Sequence, residues 1–579
     1  MLSPQRVYNK KLNNLAWVML FYFGIIACRL VYLQIIKYQK FANSGQNNFL
    51  RFKTVPAQRG NILDCNGISL ATNQPVTELL WKGSGNQRLN LLQEEAIQKI
   101  NDILGYEPIP KYKIKRAEKF STEIIIAPCI TAQQLCLISE QCSDVLNLCF
   151  KTRFERFYPY DTLASHVLGY LGDIHIDTAG KMGLEKICED TLRGDPTILQ
   201  QSINSFGSML DCKEIKQGSC GEDIVTSIDL DIQSMAEKCM ADQIEGSCII
   251  LDPRTGLIKA LISKPNFQPT IFSKTLSKQE WEDIQKQKIF LNRAFNASYP
   301  PASVFKLVTI AAALEEKIIS TDSHFTCTGH ITFKDRKYYC NKHTGHGRVS
   351  TEECLAYSCN IPLFEIAKRI HIDTLAHYAY EFGLGTKTNV PFSEQHGLIP
   401  TNDWKIAHKG ERWWTGETLS AAIGQSFLLV TPIQVACMIG AIFTGYLIKP
   451  RIIVNSEIEK KPISIHPQTR QFLQDCMKLV TSIGSARRVS KIGNLTIYSK
   501  TGTAQTKTRH KDQDPEAIHE LREHKEHAWF VSYFYTDDTQ PLVLVMLLEH
   551  VGKSTFANAV ARKFFIHYLR WTNTKKQSP

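Results

Sequence analysis

Between Leu15 and Ile36 the chain is apolar except for Gly24, Arg29 and Gln34. About 22 residues make a helix of roughly 33 Å, long enough to cross a bilayer. The run predicts one transmembrane helix over 15–36, and no second run of comparable length follows. The flank before it carries Arg6, Lys10 and Lys11 and no acid. Basic flanks stay on the cytoplasmic side, so residues 1–14 read as a cytoplasmic tail and the rest of the chain as extracytoplasmic, on a single-pass membrane protein. A cleaved signal peptide is the alternative, but the run is too long for one and no small-x-small cleavage site follows before Gln34.

At 579 residues the chain exceeds what a single core organises, and 43% hydrophobic with 21% charged residues is a globular composition. The net charge of +12 would suit nucleic acid or an anionic membrane. The anchor decides for the membrane and against nucleic acid. There are 17 cysteines, an odd number. Cys136, Cys149, Cys239, Cys248, Cys437 and Cys476 lie singly in apolar stretches, as small core residues do rather than a disulfide framework.

Residues 37–212 mix short β-rich runs with helical pieces and read as an irregular α+β module. Residues 211–221 read as a polar linker, and a second domain spans 222–571. Its helical middle, about 303–440, is bracketed by early strands (247–251 and 257–263) and late ones (495–503, 529–535 and 542–549), with a closing helix over 557–571. The fold class is therefore α+β and multidomain, with early and late strands joined in one antiparallel sheet flanked by helices.

Pro300-Pro-Ala-Ser303-Val-Phe-Lys306 opens an apolar-periodic helix, which puts Ser303 near the first turn and Lys306 one turn on, on the same face. A serine hydroxyl needs an adjacent base, and a neutral lysine at this spacing serves as one. Ser358-Cys-Asn360 sits at a junction between two helical runs. Lys500-Thr501-Gly502 closes a strand and is followed by Thr503, with the glycine allowing close backbone approach. Each motif alone reads as ordinary surface, cap or strand end, but the three occur in order and in context.

These residues resemble the penicillin-binding protein and serine β-lactamase superfamily. The likeness extends to class B penicillin-binding proteins through Arg59-Gly-Asn-Ile-Leu-Asp64, Arg156-Phe-Tyr-Pro159, His166-Val-Leu-Gly-Tyr-Leu-Gly172, Gly183-Leu-Glu185 and Leu192-Arg-Gly194, which look like that class's pedestal (dimerisation) domain. Gly345-His-Gly347, Trp414-Thr-Gly-Glu-Thr418, Ile423-Gly-Gln425 and His527-Ala-Trp-Phe530 resemble the elongation-type enzyme. Ala302 and Ser426 stand where glycine is usual, and Cys65 where arginine is common.

The resemblance implies a peptidoglycan D,D-transpeptidase that crosslinks stem peptides through an acyl-serine, with β-lactams as inhibitors and no organic cofactor. Ser303 is then the nucleophile, Lys306 its base and Ser358 a proton relay. Asn360, Lys500, Thr501, Gly502 and Thr503 bind substrate, and the backbone N–H groups of Ser303 and Thr503 form the oxyanion hole. Implied partners are stem peptides on lipid-linked glycan strands, a polytopic glycan polymerase and other elongation-complex proteins. A D,D-carboxypeptidase, a β-lactam sensor and a catalytically silent scaffold are the competing readings. The intact motifs speak against the scaffold, and the pedestal against the other two.

Between the first two motifs lie Cys327, Cys340, His346 and Cys359, spaced by thirteen, six and thirteen. Zinc favours such a Cys₃His set. A Cys327–Cys340 disulfide and unpaired core thiols are the other readings, and the resemblance to elongation-type members implies a structural zinc. The charged segment 506–526, with His510, His519 and His524, reads as a solvated loop or a gate over the cleft.

Overall fold

The computed structural model describes residues 4–41, 49–172, 179–203, 209–273, 276–506 and 525–577. A helix over Pro4–Val31 continues as a wider π turn over Tyr32–Ile36. Its apolar stretch Leu12–Ile36 is wholly unburied and long enough to cross a membrane. The Arg29 guanidinium lies 5.2 Å from the centre of the Tyr32 ring. An aromatic face so placed eases the burden of a cation near a membrane boundary.

The chain divides into two compact units. The first comprises residues 1–59, 73–155 and 193–221. In it, strand Leu50–Val55 pairs with Thr197–Ile203, which pairs with Met209–Lys216. The last of these overlaps the stretch expected to be linker, 211–221. All eight of its residues are exposed, the apolar Met209, Leu210 and Ile215 among them, as an edge position allows. A small core forms around Trp81, Ile97, Ile100, Ile114 and Ile126. Trp81 Nε1 donates to Glu118 Oε2 (3.1 Å), which gives this buried carboxylate a partner. Cys136, expected in a core, is exposed, because the helix Ala132–Gln141 buries only Ile138. Cys149 is half-buried, whereas Cys239, Cys248, Cys437 and Cys476 are buried.

The second unit comprises residues 60–72, 156–192 and 222–579. Its sheet is built from β1 (Gly246–Leu251), β2 (Ile258–Lys264), β3 (Thr496–Ala504), β4 (His527–Tyr535) and β5 (Leu542–Leu548), in the order β2-β1-β5-β4-β3 with every pairing antiparallel. β1 and β5 are buried at every residue. Alternate side chains face opposite layers. Ile249, Leu251, Val543, Val545 and Leu547 join one core, and Cys248, Ile250, Leu544, Met546 and Leu548 the other. A strand covered on both faces is apolar throughout, which is why these runs lack polar alternation.

The first core is shared by α1 (Lys306–Glu315), α2 (Thr351–Ala356), α3 (Ile361–Ala367), α4 (Pro432–Thr444) and α5 (Pro467–Ser482). The second is closed by α6 (Thr555–Gln577), through Val560, Phe564, Phe565 and Tyr568. β3 is the end strand, so one of its backbone edges is free of sheet pairing among the described residues.

Most of the residues quoted above for the pedestal lie in 60–72 and 156–192, which belong to this second unit. Arg156 donates to Glu185 Oε1 (2.7 Å) and to Gly60 O (2.7 Å), and the Glu185 side chain is fully buried. His166 Nε2 lies 2.7 Å from Ile289 O and its ring meets Phe267 edge-on. Burial drives the His166 pKa down to about 4 from an ordinary 6.5. The unfolded chain therefore takes up a proton near pH 6.5 that the folded chain refuses until about pH 4, and stability is lost as pH falls through that window. Up to about 3 kcal/mol rides on this group. Urea midpoints measured from pH 7 to pH 4 should fall steadily, and His166→Gln should flatten the fall.

Candidate active site

The cleft is assembled from three elements far apart in sequence. Ser303 lies in a 3₁₀ turn, Ala302–Val304, that leads into α1. Ala302 N donates to Gly424 O (2.8 Å) and Trp529 Nε1 donates to Pro300 O (3.0 Å), so the turn is tied to both the helical layer and the sheet. Ala302 has φ +48° and Ser426 φ +72°. These are the two positions where glycine was expected, and the left-handed backbone explains the family's preference. At Gly424 a Cβ would stand 2.0 Å from Ala302 O, so no side chain fits there.

Lys306, at the start of α1, is fully buried. Its Nζ donates to Ser358 O (2.7 Å), Asn360 Oδ1 (2.7 Å), Ser358 Oγ (3.2 Å) and Cys359 O (3.4 Å). Ser358 Oγ is in turn 2.9 Å from Ser303 Oγ. The link from Lys306 to Ser303 thus runs through the serine of the second motif. That motif occupies the junction between α2 and α3, where Ser358 takes φ +53°. The left-handed turn brings the carbonyls of residues 358 and 359 onto the lysine. Asn360 is held from the other side, with Nδ2 donating to Tyr339 O (3.0 Å).

The third motif lies on the end strand β3. Lys500, also fully buried, donates to Ser358 Oγ (3.3 Å) and Thr501 O (3.1 Å). At Gly502 a Cβ would meet Trp529 Cβ at 3.2 Å and Pro301 O at 3.4 Å, so the glycine lets the strand lie close against the serine turn. Thr503 is half-buried. Burial pushes Lys306 below the usual amine value, and burial together with the Lys306 charge pushes Lys500 well below it. A hydroxyl flanked by two such amines and touching a second hydroxyl is equipped to pass protons.

The four candidate metal ligands converge beside this junction, their donor atoms all within 4.8 Å of one another. Cys340 and Cys359 Sγ are 3.7 Å apart, and His346 Nδ1 lies 3.6 Å from Cys327 Sγ and 3.5 Å from Cys340 Sγ. A tetrahedral zinc with bonds of about 2.3 Å to sulfur and 2.0 Å to nitrogen has edges of roughly 3.8 and 3.5 Å. The donor set fits zinc in both chemistry and spacing. All 17 cysteines, Cys327 and Cys340 among them, are free thiols in the structure. Of the charged segment 506–526, residues 507–524, with His510, His519 and His524, lie outside the described residues.

Sequence reasoning missed Tyr339, whose carbonyl orients Asn360, and Ser485, whose Oγ is 2.7 Å from Thr501 Oγ1. Neither carries a local signal, since one acts through its backbone and the other sits in a loop after α5.

Residues 246–566 match the family described as the penicillin binding protein transpeptidase domain, and residues 54–226 match the penicillin-binding protein dimerisation domain. The peptidoglycan D,D-transpeptidase MrdA of Acinetobacter baumannii is 27% identical, over 100% of this chain and 89% of its own length. Among solved structures, penicillin-binding protein PBP2 of Helicobacter pylori, in complex with MreC, is 26% identical with a TM-score of 0.75, covering 90% of this chain and 98% of that one. A chain of a peptidoglycan synthase complex that coordinates polymerization and crosslinking is 27% identical with a TM-score of 0.73, covering 96% and 98%. Matched over more than half its length, with all three motifs in one cleft, the chain belongs to the penicillin-binding protein transpeptidase family, as a class B member of the elongation type.

Proposed function

We propose that this protein is a peptidoglycan D,D-transpeptidase that crosslinks stem peptides during cell-wall elongation. The observation that carries the reading is the unbroken polar path from Lys306 Nζ through Ser358 Oγ to Ser303 Oγ, with Lys500 Nζ on the same Ser358 hydroxyl. Hydroxyl protons rotate freely, so the same distances that let a charged Lys306 donate let a neutral one accept. Ser303 Oγ attacks the carbonyl carbon of the penultimate D-alanine as its proton passes by way of Ser358 to Lys306. The backbone N–H groups of Ser303 and Thr503 receive the oxyanion. Collapse expels the terminal D-alanine, whose nitrogen takes the proton back. An amino group of a neighbouring stem then attacks the acyl-serine and loses its proton along the same path. Asn360 holds the donor amide, and Lys500 with Thr501 and Thr503 holds the terminal carboxylate. The free edge of β3 pairs with the extended peptide across Gly502. β-Lactams acylate the same serine.

The N-terminal span anchors the enzyme in the inner membrane with its N-terminus in the cytoplasm and the catalytic domain outside. Elongation-complex proteins are its partners, in keeping with the MreC-bound relative. A polytopic glycan polymerase pairs with the single helix. Purified Ser303→Ala should lose all covalent labelling by a fluorescent penicillin while keeping the wild-type melting temperature, since a half-buried cleft hydroxyl adds little to packing. Undiminished labelling of that variant contradicts the assignment.

Cys327, Cys340, His346 and Cys359 would hold a structural zinc, which would crosslink the loop to the second motif and supply no chemistry of its own. Cys359 stands between Ser358 and Asn360, so ligation there would hold the second motif in place. The purified ectodomain should carry about one zinc per chain. His346→Ala should lose it, melt at a lower temperature and acylate more slowly. A metal-free wild type with a mapped Cys327–Cys340 bridge refutes the site and leaves the catalytic assignment standing.

A further inference from the structure

The loop after α5 belongs to none of the three motifs, yet it touches two of them. Ser485 N donates to Ala356 O (3.1 Å), the last residue of α2 and two residues before Ser358. Ser485 Oγ lies 2.7 Å from Thr501 Oγ1 of the third motif. Its carbonyl accepts from Asn558 Nδ2 of α6 at 2.9 Å. At the preceding Gly484 a Cβ would stand 2.3 Å from Ala356 O, so the loop backbone lies directly on the end of α2. Residue 485 is thus pinned by its own N–H and C=O, and its hydroxyl is delivered to one place.

That place decides where the Thr501 proton points. A threonine hydroxyl has a single proton, and it serves an anion only when that proton faces the anion. Thr501 is 3% exposed, while Ser485 lies at the surface of the loop. Either oxygen can be the donor in this pair; with Ser485 donating to Thr501 Oγ1, one acceptor position is filled and the Thr501 proton is left to turn outward. An anion at that proton then polarises both O–H bonds in the same sense, so the pair binds it better than Thr501 alone.

We infer that Ser485 is a positioning residue for the terminal carboxylate of the donor stem and for the carboxylate of penicillins, acting through Thr501. The inference rests on the transpeptidase reading above. It sets Ser485 apart from the acid–base path, because no bond links it to Lys306, Ser358 Oγ or Ser303 among the described residues.

The test compares acylation by benzylpenicillin, which carries the carboxylate, with acylation by its methyl ester, which does not. Second-order rate constants are measured for wild type, Ser485→Ala and Ser485→Thr. Ser485→Ala should lose roughly three- to tenfold with the acid, lose nothing with the ester, and be rescued by Ser485→Thr, which keeps the hydroxyl. An unchanged rate with the acid overturns the inference, as does an equal loss with both probes, which would place the effect on the nucleophile or the fold. Should the alanine variant not fold, Ser485→Cys, of similar shape but a weak donor, carries the same comparison. A wild type that neither probe acylates sinks the transpeptidase reading itself, whereas an acylated wild type matched by Ser485→Ala sinks this inference alone.

Discussion

The cleft is organised around an amine that water does not reach. Lys306 is 0% exposed, and a buried ammonium without partners is too costly to persist. Four oxygens of the second motif answer it, and that requires Ser358 to adopt a left-handed backbone so that two successive carbonyls face inward. The same turn projects the Ser358 hydroxyl between Lys306, Lys500 and Ser303. One desolvated lysine therefore dictates both the shape of the junction and the position of the group proposed to relay protons. Lys500 adds a second buried amine at the same hydroxyl. In the proposed mechanism an arriving carboxylate supplies the counter-charge that Lys500 lacks among the described residues, so substrate binding and charging of that lysine favour one another.

The rest of the second unit holds three distant segments at these distances. Gly502 lets the end strand close on the serine turn, Trp529 ties that turn to β4, and the loop at 484–485 sits between α2 and β3. On the other flank, Asn360 N lies 3.5 Å from Cys340 Sγ and Asn341 Nδ2 donates to Tyr357 O. The cysteine cluster and the catalytic junction are consequently one structural block, so a metal held there would bear on acylation without touching substrate.

Much of this was legible in the sequence because it is local. The apolar span, the serine with its lysine one turn on, and the strand bearing Lys500 each follow from periodicity and turn chemistry. The two-sided burial of β1 and β5 follows from their unbroken apolar runs. What was not legible depends on long-range pairing. The strand Met209–Lys216 runs into the stretch read as linker, 211–221, because an exposed edge imposes no apolar pattern. Cys136 looks like core because its neighbours are apolar, yet its helix buries only Ile138. The direct Ser303–Lys306 contact suggested by one-turn spacing is replaced by a path through Ser358, a residue 55 positions away that no helical rule brings near. Tyr339 and Ser485 escape notice because a carbonyl and a loop hydroxyl acquire their roles only in the folded chain.

The central claim, that a neutral Lys306 drives acylation from a site where burial lowers its pKa, is tested most directly by the pH dependence of the single-turnover acylation rate. Wild type should show a rate that rises as one proton leaves a group titrating below the ordinary lysine value of 10.5. Lys306→Met should react about 10²- to 10⁴-fold more slowly and without that rising limb. A Lys306→Met profile that keeps the wild-type limb would assign the base to another group and contradict the account.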